Sequence, residues 1–140
     1  MTFATNTDLL DYQADVFDHG VDDFTEELAK AEYDVLRKIE SDWWNVRNTP
    51  NNPSFSAAKL TSTQWTRVTV FRALSAYIYP KLSTWRPEGD SFRELQAFYQ
   101  ARYHEEFTAE MALGVKYDYN GDGVIADGDK VRTQQNRLFI

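Results

Sequence analysis

The sequence contains no cysteine in 140 residues. Disulfide scaffolds, Cys-ligated zinc, iron–sulfur centres and thiol nucleophiles are thereby excluded, although the redox compartment is not fixed. Histidine is nearly as scarce. Only His19 and His104 have an ordinary pKa near neutrality. No uninterrupted apolar run approaches the ~20 residues that cross a bilayer. The opening residues, Met1-Thr-Phe-Ala-Thr-Asn-Thr-Asp8, lack the basic and apolar regions of a secretory signal, so no leader is expected. Basic charge is also in deficit, with 15 Lys+Arg against 22 Asp+Glu for a net −7. That balance argues against broad affinity for nucleic acid or for an anionic membrane, both of which recruit basic patches.

What the sequence does have is aromatic residues: four Trp, eight Tyr and nine Phe, or 15% of the chain. The length suits one domain, large enough to bury a core without a disulfide or metal. The charge is segregated. Residues 1–46 hold twelve acids against three bases, Lys30, Arg37 and Lys38, whereas residues 130–140 carry Lys130, Arg132 and Arg137 with no acidic side chain. An acidic front and a basic tail permit head-to-tail contacts between copies; the alternative is a solvated helix face and a loose end.

Three long segments have helical periodicity. Phe24, Leu28, Ala31, Val35, Ile39 and Trp43 recur at steps of three or four, with acids in the first turn and Pro50 and Pro53 as a stop. Thr61 and Gln64 form a capping-box pattern between Leu60 and Trp65, before the stripe Trp65, Val68, Phe71, Leu74 and Ile78. Pro80 is expected to kink or end this helix. Ser91 and Glu94 open a third helix, whose stripe runs from Phe92 to Met111 and stops at Gly114. A short helix near Leu9–Phe17 precedes them. The expected fold is all-α: a helical bundle of three long helices plus a short N-terminal helix over 1–113. A Gly/Asp-rich loop or hairpin follows over 114–130, then an extended C-terminal tail over 131–140.

One motif carries recognisable chemistry. In Asp118-Tyr-Asn-Gly-Asp-Gly-Val-Ile-Ala-Asp-Gly-Asp129, the residues Asp118, Asn120 and Asp122 occupy positions one, three and five of a calcium loop. Gly123 supplies the sharp turn, Val124 a backbone carbonyl and Asp129 the closing carboxylate. Calcium demands six to eight oxygens, several of them anionic, which is why these types recur at this spacing. The loop resembles that of dockerin modules, which also close with Asp, but a dockerin carries two such loops and only one is present. The competing reading is a bare turn, since Asn120-Gly121 and Asp122-Gly123 are leading hairpin dipeptides. No cofactor is required by the fold; calcium is an open option at this loop.

Catalytic constellations are not evident. Tyr103-His-Glu-Glu-Phe107 lacks the second His of a zinc-protease helix, and neither His has a Glu three residues before it, as a di-iron bundle requires. There is no phosphate-binding Gly loop and no Gly-x-Ser-x-Gly elbow. Adjacent Trp43 and Trp44 point about 100° apart on a helix, so one narrow stripe does not accommodate both. Together with Arg67, Arg72, Arg93 and Arg102 interleaved among rings, they favour a subunit interface over a small-molecule pocket.

A set of segments then becomes informative in combination. These are Asp8-Leu-Leu-Asp-Tyr12, Leu60-Thr-Ser-Thr-Gln-Trp-Thr-Arg-Val-Thr-Val-Phe-Arg-Ala-Leu74 and Pro87-Glu-Gly-Asp-Ser-Phe92. Phe98-Tyr-Gln-Ala-Arg-Tyr-His-Glu-Glu-Phe107 and Gly114-Val-Lys-Tyr-Asp-Tyr-Asn-Gly-Asp-Gly123 complete it. In this order, over nearly the whole chain, the pattern resembles the head–tail connector (adaptor, or neck) proteins of tailed bacteriophages. The resemblance implies a structural virion protein without enzymatic activity, assembled in the host cytoplasm and located in the neck between head and tail. Such subunits form a homo-oligomeric ring, commonly of twelve, under the portal protein. The ring extends the DNA channel towards a stopper or tail-completion protein, and DNA passes through its lumen without sequence-specific binding. A C-terminal extension that docks on the portal is also implied; here it would end in Arg137, Leu138, Phe139 and Ile140. Two other readings remain open: a stand-alone calcium-dependent protein-binding module, and an acidic DNA-mimic inhibitor.

Overall fold

The structure is a computed structural model that describes residues 2–19, 21, 23–44, 55–83, 89–118 and 130–131. Its architecture is all-α. Helix α1 (Asn6–Tyr12) and a 3-10 turn (Ala14–His19) lead into α2 (Thr25–Ile39), which a π turn (Glu40–Trp44) extends. After two short 3-10 turns, Ala57–Lys59 and Ser62–Gln64, come α3 (Thr66–Ala73), a second π turn (Leu74–Ile78) and α4 (Tyr79–Ser83). The 25-residue α5 (Gly89–Leu113) closes the helical part, about 37 Å long at 1.5 Å per residue.

Helix α2 buries the stripe expected of it, with Leu28, Ala31, Val35 and Ile39 inside. Its start is organised by Asp23, whose Oδ1 accepts hydrogen bonds from the Thr25 N–H at 3.0 Å and the Thr25 hydroxyl at 2.6 Å. Asn6 Nδ2 donates to the same oxygen at 2.9 Å, tying α1 to the beginning of α2. These donors favour the charged carboxylate. They lower the Asp23 pKa from 3.8 to about 2, chiefly through the Thr25 hydroxyl and then Asn6.

The expected cap of the second helix is not formed. Thr61 makes no side-chain cap, Ser62–Gln64 is a 3-10 turn, and α3 begins only at Thr66. The Gln64 side chain serves elsewhere: its Nε2 donates to the Gly114 carbonyl and its Oε1 accepts from the Lys116 N–H, both at 2.9 Å. Two long-range bonds displace the local box. Leu60 and Trp65, the proposed staple, are both buried.

Pro80 does not end the helix either. The Tyr79 N–H donates to the Leu74 carbonyl five residues back, and the chain stays helical through Pro80 to Ser83. A proline ring ordinarily clashes with the carbonyl four residues before it. The π turn inserts an extra residue beneath Pro80 and takes that carbonyl out of line.

At the other end, α5 stops at Gly114, whose φ of 106° is left-handed and whose N–H donates to Glu110 O at 3.1 Å. Strand β1 (Val115–Lys116) then pairs antiparallel with β2 (Lys130–Val131), Val115 opposite Val131 and Lys116 opposite Lys130. On its other side β1 meets the 59–61 segment. Thr61 N–H donates to Lys116 O at 3.3 Å and Asp118 N–H to Lys59 O at 2.9 Å. Residues 115–118 are therefore held from two directions.

Helices α2 and α5 both pack on α3, and α4 packs on α5. The N-terminal segment crosses this layer. Thr66 Oγ1 donates to Phe3 O at 2.6 Å, Phe3 N–H to Glu32 Oε1 at 2.6 Å, and the Tyr99 hydroxyl to Gln13 Oε1 at 2.5 Å. Rings run through the interior as a ladder: Phe92, Tyr79, Tyr99 and Phe71 stack in turn at centroid spacings of 5.7, 6.1 and 5.6 Å. Tyr12 meets Phe71 edge-on at 5.6 Å. Most described rings are thus hidden by the chain itself, because the N-terminal segment and β1 supply walls that helical periodicity does not reveal. Tyr33 and Phe98 are the large rings left exposed among the described residues.

Replacing Gln64 by Ala is expected to cost about 2 kcal/mol, because it leaves the buried Gly114 carbonyl and the half-buried Lys116 N–H at the root of β1 unpaired; urea unfolding measures it. Asp23 gives a pH signature. A carboxyl with a depressed folded pKa contributes stability that is complete above its ordinary 3.8 and lost as pH falls through about 2. The stability difference between wild type and Asp23→Asn is therefore expected to shrink as pH drops from 4 to 2, as thermal unfolding at several pH values would show; a pH-independent difference would refute this role.

Candidate functional site

Between α2 and α5, with α3 as its floor, lies a groove of about 330 Å³. Asp34, Arg37 and Lys38 line one wall, Tyr103 and His104 the other, and Arg72 rises from below. The site follows from helical spacing, since Asp34 and Lys38 are one turn apart on α2 and project to the same side. Arg72 Nε donates to Asp34 Oδ2 at 3.0 Å, and the Tyr77 hydroxyl donates to the same oxygen. The guanidinium also lies 5.4 Å from the Tyr103 ring centroid and 5.9 Å from that of Tyr77.

Electrostatics fix this node. Burial works against the charge on Arg72, but the hydrogen bond and negative charge of Asp34 prevail and raise its pKa. Burial raises the Tyr77 hydroxyl, and its hydrogen bond to Asp34 raises it further. Burial likewise raises Tyr103. Arg72 therefore stays charged and Tyr77 stays a neutral donor across the physiological range. Lys38 pairs with Asp42 at 3.0 Å and lies 5.0 Å from the Phe107 ring centroid, and Arg37 lies 5.8 Å from that of Tyr33. The lining thus holds three cations, of which Arg72 is paired with Asp34 and Lys38 with Asp42, leaving Arg37 as the one without a carboxylate partner among the described residues. Such a surface can engage carboxylates by ion pairing.

The residues singled out by sequence are distributed differently. Trp43 and Trp44 form no exposed partner surface: both are buried, at 0% and 7% exposure. Their rings contact each other and Tyr117, and Trp44 also meets Phe55. A single helical stripe does not accommodate both rings; β1 and the 55–60 segment cover the second one. Three of the interleaved arginines lie over rings of the same chain. Arg67 lies over Tyr12, Arg72 over Tyr77 and Tyr103, and Arg102 over Phe71, so each guanidinium has a ring partner within the chain, while Arg67 and Arg102 remain exposed.

Of the calcium-loop residues, Asp118 stands at the end of β1; Asn120, Asp122, Val124 and Asp129 lie outside the described residues. Arg137, Leu138, Phe139 and Ile140 lie outside them as well. Among the described residues no group of three His, Cys, Asp or Glu side chains is placed to hold a metal, and no helix is long and apolar enough to cross a membrane. Sequence reasoning missed the groove itself. The available signal was Asp34 and Lys38 at one-turn spacing, but their meeting with Arg72 and Tyr103 is a tertiary event.

Arg72→Ala is expected to destabilise the protein by about 2 kcal/mol, through loss of a charge-assisted hydrogen bond and two ring contacts. Arg72→Lys, which keeps the charge without the planar fork, is expected to recover less than half of that in urea unfolding. Comparison with known proteins returns nothing: no protein-family model, curated protein or solved structure matches the chain.

Proposed function

We propose that the chain is a non-catalytic structural subunit of a tailed-bacteriophage neck. In this reading it is a head–tail adaptor that forms a homo-oligomeric ring under the portal and extends the DNA channel towards a stopper or tail-completion ring. The proposal rests on the sequence resemblance, and one structural observation carries it further. The β1–β2 pairing roots the segment after Val131 beside the end of α5. The nine residues 132–140, polar and basic and then ending in Leu138, Phe139 and Ile140, start from a fixed point on the helical body. At ~3.3–3.6 Å per extended residue they reach at most about 32 Å, enough to dock on an adjoining ring. Three long helices as the rigid body and an extended tail as its connector complete the proposed architecture.

Deleting residues 132–140 is expected to abolish co-purification with portal rings while leaving the unfolding transition of the helical body unchanged. A truncated chain that still joins portal with full affinity would sink the docking role. Electron microscopy of the full chain mixed with portal is expected to show a ring of density on one portal face.

Calcium at Asp118–Asp129 is retained as a second feature, supported by the register that pairs Lys116 with Lys130, residues that flank the motif in sequence. Its role would be to brace the hairpin. Millimolar calcium is then expected to raise the melting temperature, and Asp122→Ala to remove the increment. An unchanged melting temperature with and without chelator would exclude the ion.

A further inference from the structure

The groove lined by Arg37, Lys38 and Arg72 keeps one positive charge in excess on a chain of net −7, after Asp34 and, at its edge, Asp42 are counted. Both carboxylates are occupied: Asp34 is bound by Arg72 and Tyr77, and Asp42 by Lys38. Among the described residues no carboxylate lies within ion-pair distance of Arg37, whose guanidinium lies over the Tyr33 ring. The complementary surface is on the same chain. No Lys or Arg precedes Lys30, and Asp11, Asp15 and Asp18 are all exposed along α1 and the 3-10 turn that follows it.

These two surfaces lie on different sides of the helical layer. On α2, Thr25 and Glu32 face the N-terminal segment through their hydrogen bonds to Asn6 and Phe3, whereas Asp34 and Lys38 face the groove. At 100° per residue the two pairs are separated by about 120–180° around the helix. An acidic ridge on one side and a basic groove on the other do not meet within one molecule. Two copies joined through one such contact would each still present one surface unfilled. A heterologous contact of this kind propagates until it closes into a ring or extends as a filament.

We propose that the groove between α2 and α5 receives the acidic N-terminal ridge of a second copy of this chain. Asp11, Asp15 and Asp18 supply the carboxylates; Arg37 is the leading cation, with Lys38, shared with Asp42, beside it and Arg72 behind. The inference rests on the reading of the chain as a ring-forming subunit and assigns the contact that joins neighbours. Charge complementarity at such a contact sets register and orientation, and it weakens as salt screens it.

The test uses charge reversal with reciprocal rescue, read by sedimentation velocity at about 50 mM and about 500 mM salt. One variant carries Asp11→Lys, Asp15→Lys and Asp18→Lys; the other carries Arg37→Glu and Lys38→Glu. Wild type is expected to sediment as an oligomer that dissociates as salt rises. Each variant alone is expected to sediment as the 16.3 kDa monomer. An equimolar mixture of the two is expected to regain the oligomer, because each reversed ridge now matches the other's reversed groove. Arg37→Glu alone, at an exposed position, keeps the test available if the double variant does not fold. If both variants retain the wild-type oligomer, or if the mixture fails to recover it, the contact is wrong and the ring reading stands. If wild type is monomeric at every salt and concentration, the contact and the ring reading fail together.

Discussion

Helix α3 has almost no face to give to water, and the rest of the fold is arranged to enclose it. Val68, Thr69, Val70, Phe71 and Ala73 are all buried, and the run continues through Leu74, Ser75, Ile78 and Tyr79. A helix with one polar face needs a single layer beside it; a helix buried all round needs cover on every side. Helices α2 and α5 provide two sides. The N-terminal segment provides a third, pinned by Phe3 to Thr66 and Glu32 and by Gln13 to Tyr99. The same enclosure accounts for Pro80 being carried through a π turn, since ending the helix there would withdraw Tyr79 and Leu82 from the core.

The fourth side of α3 is where Arg72 interrupts the apolar run. Its guanidinium meets a carboxylate, a phenol and a second ring, so the charge is satisfied without being sealed from solvent. An aliphatic residue here would invite α2 and α5 to close over it. An arginine holds the gap open and polar, because full burial of its charge would cost far more than the contacts return. The groove thus lies where Arg72 interrupts the buried run of α3; the other break is Arg67, exposed and paired with Glu106 at 3.2 Å.

How much of this was legible in sequence depends on the range of the interaction involved. The stop at Gly114 and the stripes of α2 and α5 could be read, because each rests on residues within a turn or two of one another. Gln64 could not. The sequence presents it as the partner of Thr61 in a local cap, yet Gly114 and Lys116, some fifty residues on, take both ends of its carboxamide. Trp43 and Trp44 failed for a related reason. Periodicity assigns a face to each ring, but it does not say that Tyr117 and Phe55 arrive to cover the face turned outward. Arg67, Arg72 and Arg102 have the composition of an interface and the geometry of a core boundary. Composition alone does not separate the two, since both bring guanidinium groups against aromatic rings. Asp118 apart, the calcium-loop ligands and the apolar terminus lie outside the described residues and rest on the sequence alone.

Segregated charge gives the two proposed contacts different physics. The groove contact is polar and long-ranged in its steering, sensitive to ionic strength, and specific in orientation because a misplaced neighbour brings like charges together. The tail ends in Leu138, Phe139 and Ile140, which would gain affinity by burial of apolar area and so would be largely indifferent to salt. A subunit that must first find its place in a ring and then hold a different partner benefits from that division. Electrostatic contacts between copies can form and correct themselves reversibly. An apolar anchor would commit the assembled ring only once enough copies are aligned to engage their tails together, since several weak tails bound in concert hold far more tightly than one.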